Sequence, residues 1–255
     1  MSEAQTRAGG GVQSVDRAFE LLELVADAGG EATLSQLAEV SGLPQPTIHR
    51  LLRTLISGGY IRQQPSRRYS LGPRLIRLGE TASRALGASA RTHLTRLRDL
   101  TGETSNMAVL DGDQVVYVAQ VPSPHAMRMF TEVGQRVDLH CTAVGKAVLA
   151  TLPPAEVDRI LSRITMSPRT IHTITDPAVI REEIDRVREH GYAVDDGEQE
   201  AGVRCFAVAI PDAPTRAALS ICGPQARVSG LDMATVIPLL RDTAASVGRD
   251  LSAAS

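Results

Sequence analysis

The stretch from Leu43 to Tyr60, LPQPTIHRLLRTLISGGY, constrains the fold of this chain more than any other. Ile48, Leu51, Leu52 and Leu55 fall at i, i+3, i+4 and i+7, one apolar stripe of a helix, so that side is expected to be buried. At about 100° per residue, Pro46, Arg50, Arg53 and Ser57 lie opposite, with Thr47 and His49 on the flanks and Gln45 near the start. Pro44 and Pro46 sit where first-turn N–H groups lack intrahelical partners, and Gly58-Gly59 ends the helix. Such a helix fits a DNA major groove. Its first turn brings Gln45, Thr47 and His49 to base edges, while Arg50 and Arg53 reach bases or phosphates. Read alone, the stretch is equally an ordinary amphipathic surface helix, and the flanking sequence decides between the two.

Upstream, Ser14 to Asp27 reads as a helix capped by Ser14, with Val15, Ala18, Phe19, Leu22 and Val25 or Ala26 as its apolar stripe. Ala28-Gly29-Gly30 closes it. Thr33 to Ser41 gives a short second helix with Leu34, Leu37 and Ala38 inward, followed by the turn Ser41-Gly42-Leu43. A short helix, a glycine-containing turn and an amphipathic helix in this order make a helix-turn-helix. Downstream, Tyr60 to Gln64 and Arg67 to Leu71 are β-prone runs joined by Pro65-Ser66, a hairpin wing with arginines at its tip. Arg67 and Arg68 are expected to contact phosphate or an adjacent minor groove, adding affinity and salt dependence more than sequence choice. The plainer alternative is a solvated charged turn.

Charge distribution favours the nucleic-acid reading although the whole chain carries a net charge of −2. From Pro44 to Gly79 the cations are Arg50, Arg53, Arg62, Arg67, Arg68, Arg74 and Arg77, with no Asp or Glu among them. Lys146 is the sole lysine, so the clustering carries the argument and the choice of Arg over Lys does not. With 255 residues, 43% of them hydrophobic, the chain suits one small and one medium domain. Cys141, Cys205 and Cys222 are odd in number, far apart and without CxxC spacing, which suits a reducing cytoplasm and argues against a disulfide framework. With no signal peptide and no apolar run of about 18 residues, neither secretion nor membrane spanning is expected. Residues 1–11 read as a mobile tail.

Beyond the wing, Pro73 to Leu86 has a broad apolar face of Leu75, Ile76, Leu78, Ala82, Ala85 and Leu86 and reads as a linker helix. Ala88 to Leu100 adds a helix with Ala90, Leu94, Leu97 and Leu100 inward. Met107 to Val118 is two β-prone runs around an Asp-Gly turn. Met127–Phe130 and Arg136–Leu139 are weaker strand candidates. His140–Leu152, Pro154–Ile164 and Asp176–Gly191 read as helices, Val203–Ile210 and Ala217–Cys222 as strands, and Leu231–Leu251 as a long closing helix with Val236, Leu239, Leu240 and Val247 inward. Strands and helices without regular βαβ alternation indicate an α+β domain.

Several segments, taken together, resemble IclR-type transcriptional regulators: Ser14-Val-Asp-Arg-Ala-Phe-Glu-Leu-Leu, Thr47-Ile-His-Arg-Leu-Leu, Tyr69-Ser-Leu-Gly-Pro-Arg-Leu-Ile-Arg-Leu-Gly, Gly145-Lys-Ala-Val-Leu-Ala, Gly191-Tyr-Ala-Val-Asp-Asp-Gly-Glu, Gly202-Val-Arg-Cys-Phe-Ala and Leu219-Ser-Ile-Cys-Gly-Pro. The resemblance implies a two-domain α+β protein: a winged helix-turn-helix at 12–72, a linker and dimerisation helix at 73–86, and a GAF-like mixed α/β effector domain at 87–255. It also implies operator double-stranded DNA and a small organic acid as partners, and a homodimer or dimer of dimers.

The segment Cys141-Thr-Ala-Val-Gly-Lys146 opens a helix, so N–H groups around Ala143 and Val144 suit a carboxylate at the positive helix end. By the resemblance, Asp195, Cys205 and Ser220 line the same pocket with Met129 on its apolar wall. Cys222 stands where many relatives have serine. Plainer alternatives stand beside these: the cysteines as small buried hydrophobes, Asp195, Asp196 and Glu198 as a solvated turn, and Lys146 as an exposed helix-end charge. His140 beside Cys141 lacks zinc-site spacing, and Gly145-Lys146 lacks the upstream glycine of a phosphate loop, so neither metal nor cofactor is implied.

The expected function is a cytoplasmic, non-enzymatic, ligand-responsive regulator of a catabolic operon, a repressor rather than an activator. The segments from Asn106, Val116, Met127 and Glu198 look most similar to repressors of allantoin and ureide breakdown, which implies glyoxylate or allantoate as effector. Two competing classes are a metabolic enzyme using Cys205 or Lys146 as nucleophile behind a helical dimerisation module, and a DNA-binding protein without effector control.

Overall fold

A computed structural model describes residues 12–86 and 90–253, with 83–86 as backbone. The expected tail at 1–11 and the side chains of Ala85 and Leu86 lie outside the described residues. The chain forms two compact units, residues 1–82 and 83–255.

In the first unit, helices α1 (Gln13–Asp27), α2 (Leu34–Ser41) and α3 (Gln45–Ser57) enclose a small core, and strands β1 (Glu31–Ala32), β2 (Ile61–Gln63) and β3 (Tyr69–Leu71) form an antiparallel sheet in the order β1-β3-β2. Thr33 begins α2 with a reciprocal capping box to Gln36, and Gly42 ends it in the left-handed region. The whole stripe Ile48, Leu51, Leu52 and Leu55 is buried against Leu21, Val25 and Leu37. Each such side chain contributes roughly 1.5–3 kcal/mol by leaving water. In α1 the phase differs from expectation. Leu21 and Val25 take the core with Ala18 and Leu22 packed beside them, whereas Val15 and Phe19 are exposed, because the stripe that meets α2 and α3 is centred about a quarter of a turn away. Helix α4 (Arg74–Leu86) likewise leaves Ile76 and Leu78 exposed within this unit. Gly72 permits the entry to α4: a Cβ there would lie 2.2 Å from the Gly59 carbonyl oxygen.

The second unit is a six-stranded antiparallel sheet, in the order β6-β5-β4-β9-β8-β7, between two helical layers. Its strands are β4 (Thr104–Asp111), β5 (Gln114–Val121), β6 (Arg136–Asp138), β7 (Ala193–Asp196), β8 (Val203–Ala209) and β9 (Ala217–Pro224). Helices α6 (Ala143–Ala150), α7 (Pro154–Arg163) and α8 (Pro177–His190) cover one face, and α5 (Ala90–Thr101) and α10 (Met233–Ala253) cover the other; the short α9 (Gln225–Val228) follows β9. Side chains alternate between the two cores: Cys205 and Ala207 point to one, Phe206 and Val208 to the other. Strand β5 changes phase midway. Ala108 pairs with Tyr117 and Met107 with Ala119, so Val118 is an extra residue, and Tyr117 and Ala119 serve opposite cores although both are odd-numbered.

Several expectations are corrected here. Met127–Phe130 is an irregular segment, its backbone held to no neighbouring strand and only Met129 buried. The helix expected from His140 starts at Ala143, since Thr142 is its N-cap and accepts from the Gly145 N–H at 3.1 Å. Leu100 is exposed at the end of α5. Strand β7 and the short β1 were not foreseen.

Candidate functional site

On the first unit, the expected reading face of α3 is open. Gln45, His49, Arg50 and Arg53 are exposed and Thr47 is half-buried. Pro44 stands at the N-cap without a side-chain bond, and its carbonyl accepts from Thr47 and Ile48 N–H at 2.9 and 3.1 Å. Polar groups therefore surround the first turn while the buried stripe holds the helix to the unit's core. At the wing the two arginines differ. Arg67 is exposed at the tip, with φ 63, and takes part in the turn through its N–H to the Gln64 carbonyl. Arg68 turns back instead: its guanidinium donates to the Glu31 carbonyl at 3.0 Å and pairs with the Glu31 carboxylate at 3.4 Å, tying the wing to β1. Glu31 lies outside the acid-free run, so the basic stretch did not disclose this anchor.

On the second unit, Met129, Ala143, Val144, Asp195, Cys205, Ser220 and Cys222 line a single narrow, tightly closed cavity, together with Tyr117 and Thr142. The start of α6 forms one wall. Its Gly145 and Lys146 N–H groups are taken by Thr142, which leaves those of Ala143 and Val144 for another acceptor. Gly145 allows this close seating, because a Cβ would lie 2.4 Å from the Leu139 carbonyl oxygen. Strands β7, β8 and β9 form the opposite wall, with Asp195 across from Cys205 and Cys205 across from Cys222.

The cavity is largely desolvated. Burial raises the Asp195 carboxyl to about 7, against the downward pull of the Glu198 N–H, which donates to it at 2.7 Å. Burial likewise raises the Tyr117 hydroxyl well above its ordinary value, and Asp195 adds to the effect. Tyr117 was not foreseen because its side follows from the β5 bulge. Thr142 had a readable signal, a threonine immediately before a helical apolar run.

Lys146 is not an exposed helix-end charge. It has no exposed surface, and its ammonium bonds to Glu198 at 2.6 Å and Glu183 at 3.4 Å. Burial pushes Glu198 upward against the attraction of Lys146, whereas for Glu183 Lys146 and Arg186 together outweigh burial and hold it below its ordinary value. Asp195 and Glu198 are thus buried groups rather than a solvated turn, and Asp196 alone of the three is exposed.

The cysteines also depart from expectation. Cys205 and Cys222 are brought together as a disulfide pair with Cα atoms 4.2 Å apart, because the β8–β9 register joins positions that look unrelated in sequence. Cys141 is free and buried, donating to the Gln199 side chain at 2.9 Å, and burial raises its thiol to about 12. Asp138, His140 and Cys141 bring ligand-type atoms within 4.8 Å of one another. Asp138, however, is engaged by Arg169 at 2.6 Å, and the His140 ring contacts the Ser167 carbonyl at 3.3 Å.

Comparison with known proteins gives these two units their context. The IclR helix-turn-helix domain matches residues 14–65, and the C-terminal domain of the bacterial transcriptional regulator IclR matches residues 80–249. The HTH-type transcriptional regulator BhcR of Paracoccus denitrificans is 34% identical over 95% of this chain and 87% of its own length. The transcriptional repressor IclR of Escherichia coli is 36% identical over 89% of this chain and 85% of its own. Among solved structures, an IclR homologue from Microbacterium hydrocarbonoxydans in complex with 4-hydroxybenzoate is 25% identical, with a TM-score of 0.81 over 94% of this chain and 99% of that one. No helix among the described residues is long and apolar enough to cross a membrane. A helix-turn-helix unit followed by a mixed α/β effector unit, matched along nearly the whole length of characterised regulators, shows that this chain belongs to the IclR family of DNA-binding transcriptional regulators.

Proposed function

We propose that this regulator represses a catabolic operon and is controlled by a small organic acid held between the start of α6 and strands β7–β9. The observation that carries the reading is the convergence of helix N–H groups, Asp195 and Ser220 on one desolvated cavity. An anion there gains from the positive helix end and from N–H groups that have no intrahelical partner. The cavity is narrow and tightly closed, so an acid of few carbons, such as glyoxylate, is the ligand put forward for the test. The relative solved with 4-hydroxybenzoate supports a carboxylate as the ligand class. The relatives named above lend no support to the ureide subgroup, and allantoate enters only as a second carboxylate to be tested.

On the DNA side, Gln45, Thr47, His49, Arg50 and Arg53 would face the major groove, with Arg67 and Arg68 at the wing on phosphate or a minor groove. Two copies reading two half-sites give a homodimer, or a dimer of dimers, on the operator. Effector control requires that the ligand bind the DNA-competent and DNA-incompetent arrangements with different affinity. An enzymatic use of Lys146 is disfavoured by its burial between two carboxylates.

The deciding experiment is binding of the purified protein to its own upstream DNA at fixed salt, with and without glyoxylate and allantoate. Specific binding released by one acid is the expected result. Specific binding that both leave unchanged would overturn the effector class, and binding no tighter than to competitor DNA would overturn the regulator reading of this site.

A further inference from the structure

Two cysteines at separate sequence positions meet inside the cavity. The antiparallel register of β8 and β9 places Cys205 directly opposite Cys222, and both side chains line the cavity while almost fully buried. The Met129 thioether lies 3.9 Å from the Cys205 sulfur, and the Ser220 hydroxyl 3.7 Å from that of Cys222. Packing alone asks only for small apolar groups here, such as the Ala207 and Ala218 that neighbour them on the same face. Two cysteines at facing positions add a chemistry that alanines lack, and in the form described above the two are joined as a disulfide.

We propose that Cys205 and Cys222 form a reversible dithiol–disulfide site, oxidised by hydrogen peroxide, and that the linked form no longer accepts the cavity's carboxylate ligand. Two features make the pair reactive in spite of its burial. The start of α6 lines the same cavity, so its positive end stabilises a thiolate as it would a carboxylate. Asp195, opposite Cys205 in β7, opposes that anion when ionised and ceases to do so when it carries a proton. Both cysteines are almost fully buried, so the smallest two-electron oxidant, hydrogen peroxide, is the one proposed. One thiolate attacks the peroxide oxygen, the O–O bond breaks, and a sulfenic acid forms with release of hydroxide, which takes up the thiol's proton as water. The second thiol then attacks the sulfenic sulfur; the S–S bond forms, the S–O bond breaks and a second water leaves. Two thiols and one peroxide become one disulfide and two waters, with two electrons passing from sulfur to oxygen. A low-molecular-weight thiol reverses the step by exchange through a mixed disulfide.

The consequence for ligand binding rests on the effector reading above, whereas the linkage itself does not. Effector and oxidation draw on the same helix end, so a bound carboxylate also slows the oxidation.

The test begins with fully reduced full-length protein, treated with hydrogen peroxide, then unfolded and alkylated with N-ethylmaleimide. Mass analysis is expected to find a chain two hydrogens lighter, with Cys205 linked to Cys222 and Cys141 alkylated. Free alkylation of Cys205 and Cys222, or oxidation confined to Cys141 or Met129, would overturn the site. For ligand coupling, the probe is glyoxylate, read by thermal unfolding of the reduced and linked forms. Linkage is expected to weaken its binding on the order of ten-fold or more, the effect of losing one or two polar contacts. In Cys222→Ser, which cannot link, the glyoxylate shift is expected to be the same before and after peroxide, whatever the substitution itself does to the affinity. Complete linkage with an unchanged glyoxylate shift would overturn the coupling. No shift even in reduced protein defeats the effector reading and leaves the linkage to stand or fall on its mass result.

Discussion

Lys146 is a lysine without exposed surface, held by Glu198 and Glu183 in the layer beneath the cavity. Lys146→Met leaves the buried Glu198 carboxylate without its ammonium partner while Glu183 keeps Arg186, and is expected to destabilise the fold by about 3–5 kcal/mol in denaturant unfolding, the range for breaking a buried pair. Replacing all three, as Lys146→Met with Glu183→Gln and Glu198→Gln, recovers most of that loss; a triple variant as unstable as the single one would rule out the ion-pair account. Asp195 carries a different signature. Its folded carboxyl is raised to about 7 from 3.8, so the folded protein keeps a proton that the unfolded chain gives up. Its stabilising effect is therefore full at low pH and lost as pH rises between those two values. Asp195→Asn is expected to flatten that decline relative to the unsubstituted protein, by at most about 1.4 kcal/mol per pH unit, while the similar contribution of Glu198 remains in both. Superimposable stability–pH curves would refute the assignment. None of this was legible at Lys146 itself, because its partner Glu198 is 52 residues away and only the β7 turn brings it under α6.

At the scale of elements, periodicity disclosed the helices well, because α3 and α10 carry long stripes that no other structure satisfies. Strand β7 escaped because four residues ending in two aspartates look like a turn, and they become a strand only through pairing with β8. The cavity residues were named from resemblance and position; that they share one cavity depends on register, which the sequence does not print. The wing shows how an element's geometry separates neighbouring charges. Arg67 adopts φ 63, a left-handed conformation that favours glycine, while Arg68 is fastened to Glu31. Arg67→Gly is accordingly expected to leave stability unchanged or raise it by up to about 1 kcal/mol. If Arg67 meets a phosphate as proposed, the same variant should also lower the slope of log affinity for operator against log salt by about 0.9. An unchanged slope would remove Arg67 from the DNA interface. Arg68→Ala should instead lower both stability and affinity, since it also releases β1.

At the scale of the whole molecule, the proposed reading of an operator by two heads demands a dimer, and the first unit exposes apolar residues that its own core does not use. Val15 and Phe19 on α1, and Ile76 and Leu78 on α4, are exposed although they sit at positions of apolar periodicity. Periodicity reports that a face is to be covered, not whether the cover comes from the same chain, which is why Phe19 was expected inside. If a second copy provides that cover, the double variant Ile76→Asp, Leu78→Asp leaves the fold of each chain intact, since exposed positions usually change stability by no more than about 0.5 kcal/mol. Association is what it removes. Light scattering should then report a monomer where the unsubstituted protein is dimeric. Operator affinity should fall by about a hundred-fold or more as the two linked binding events become separate ones. Binding to a single half-site stays as before, because Gln45, Thr47, His49, Arg50 and Arg53 are untouched. A double variant that remains dimeric and holds the operator with full affinity would show that these residues are covered by something other than a second chain.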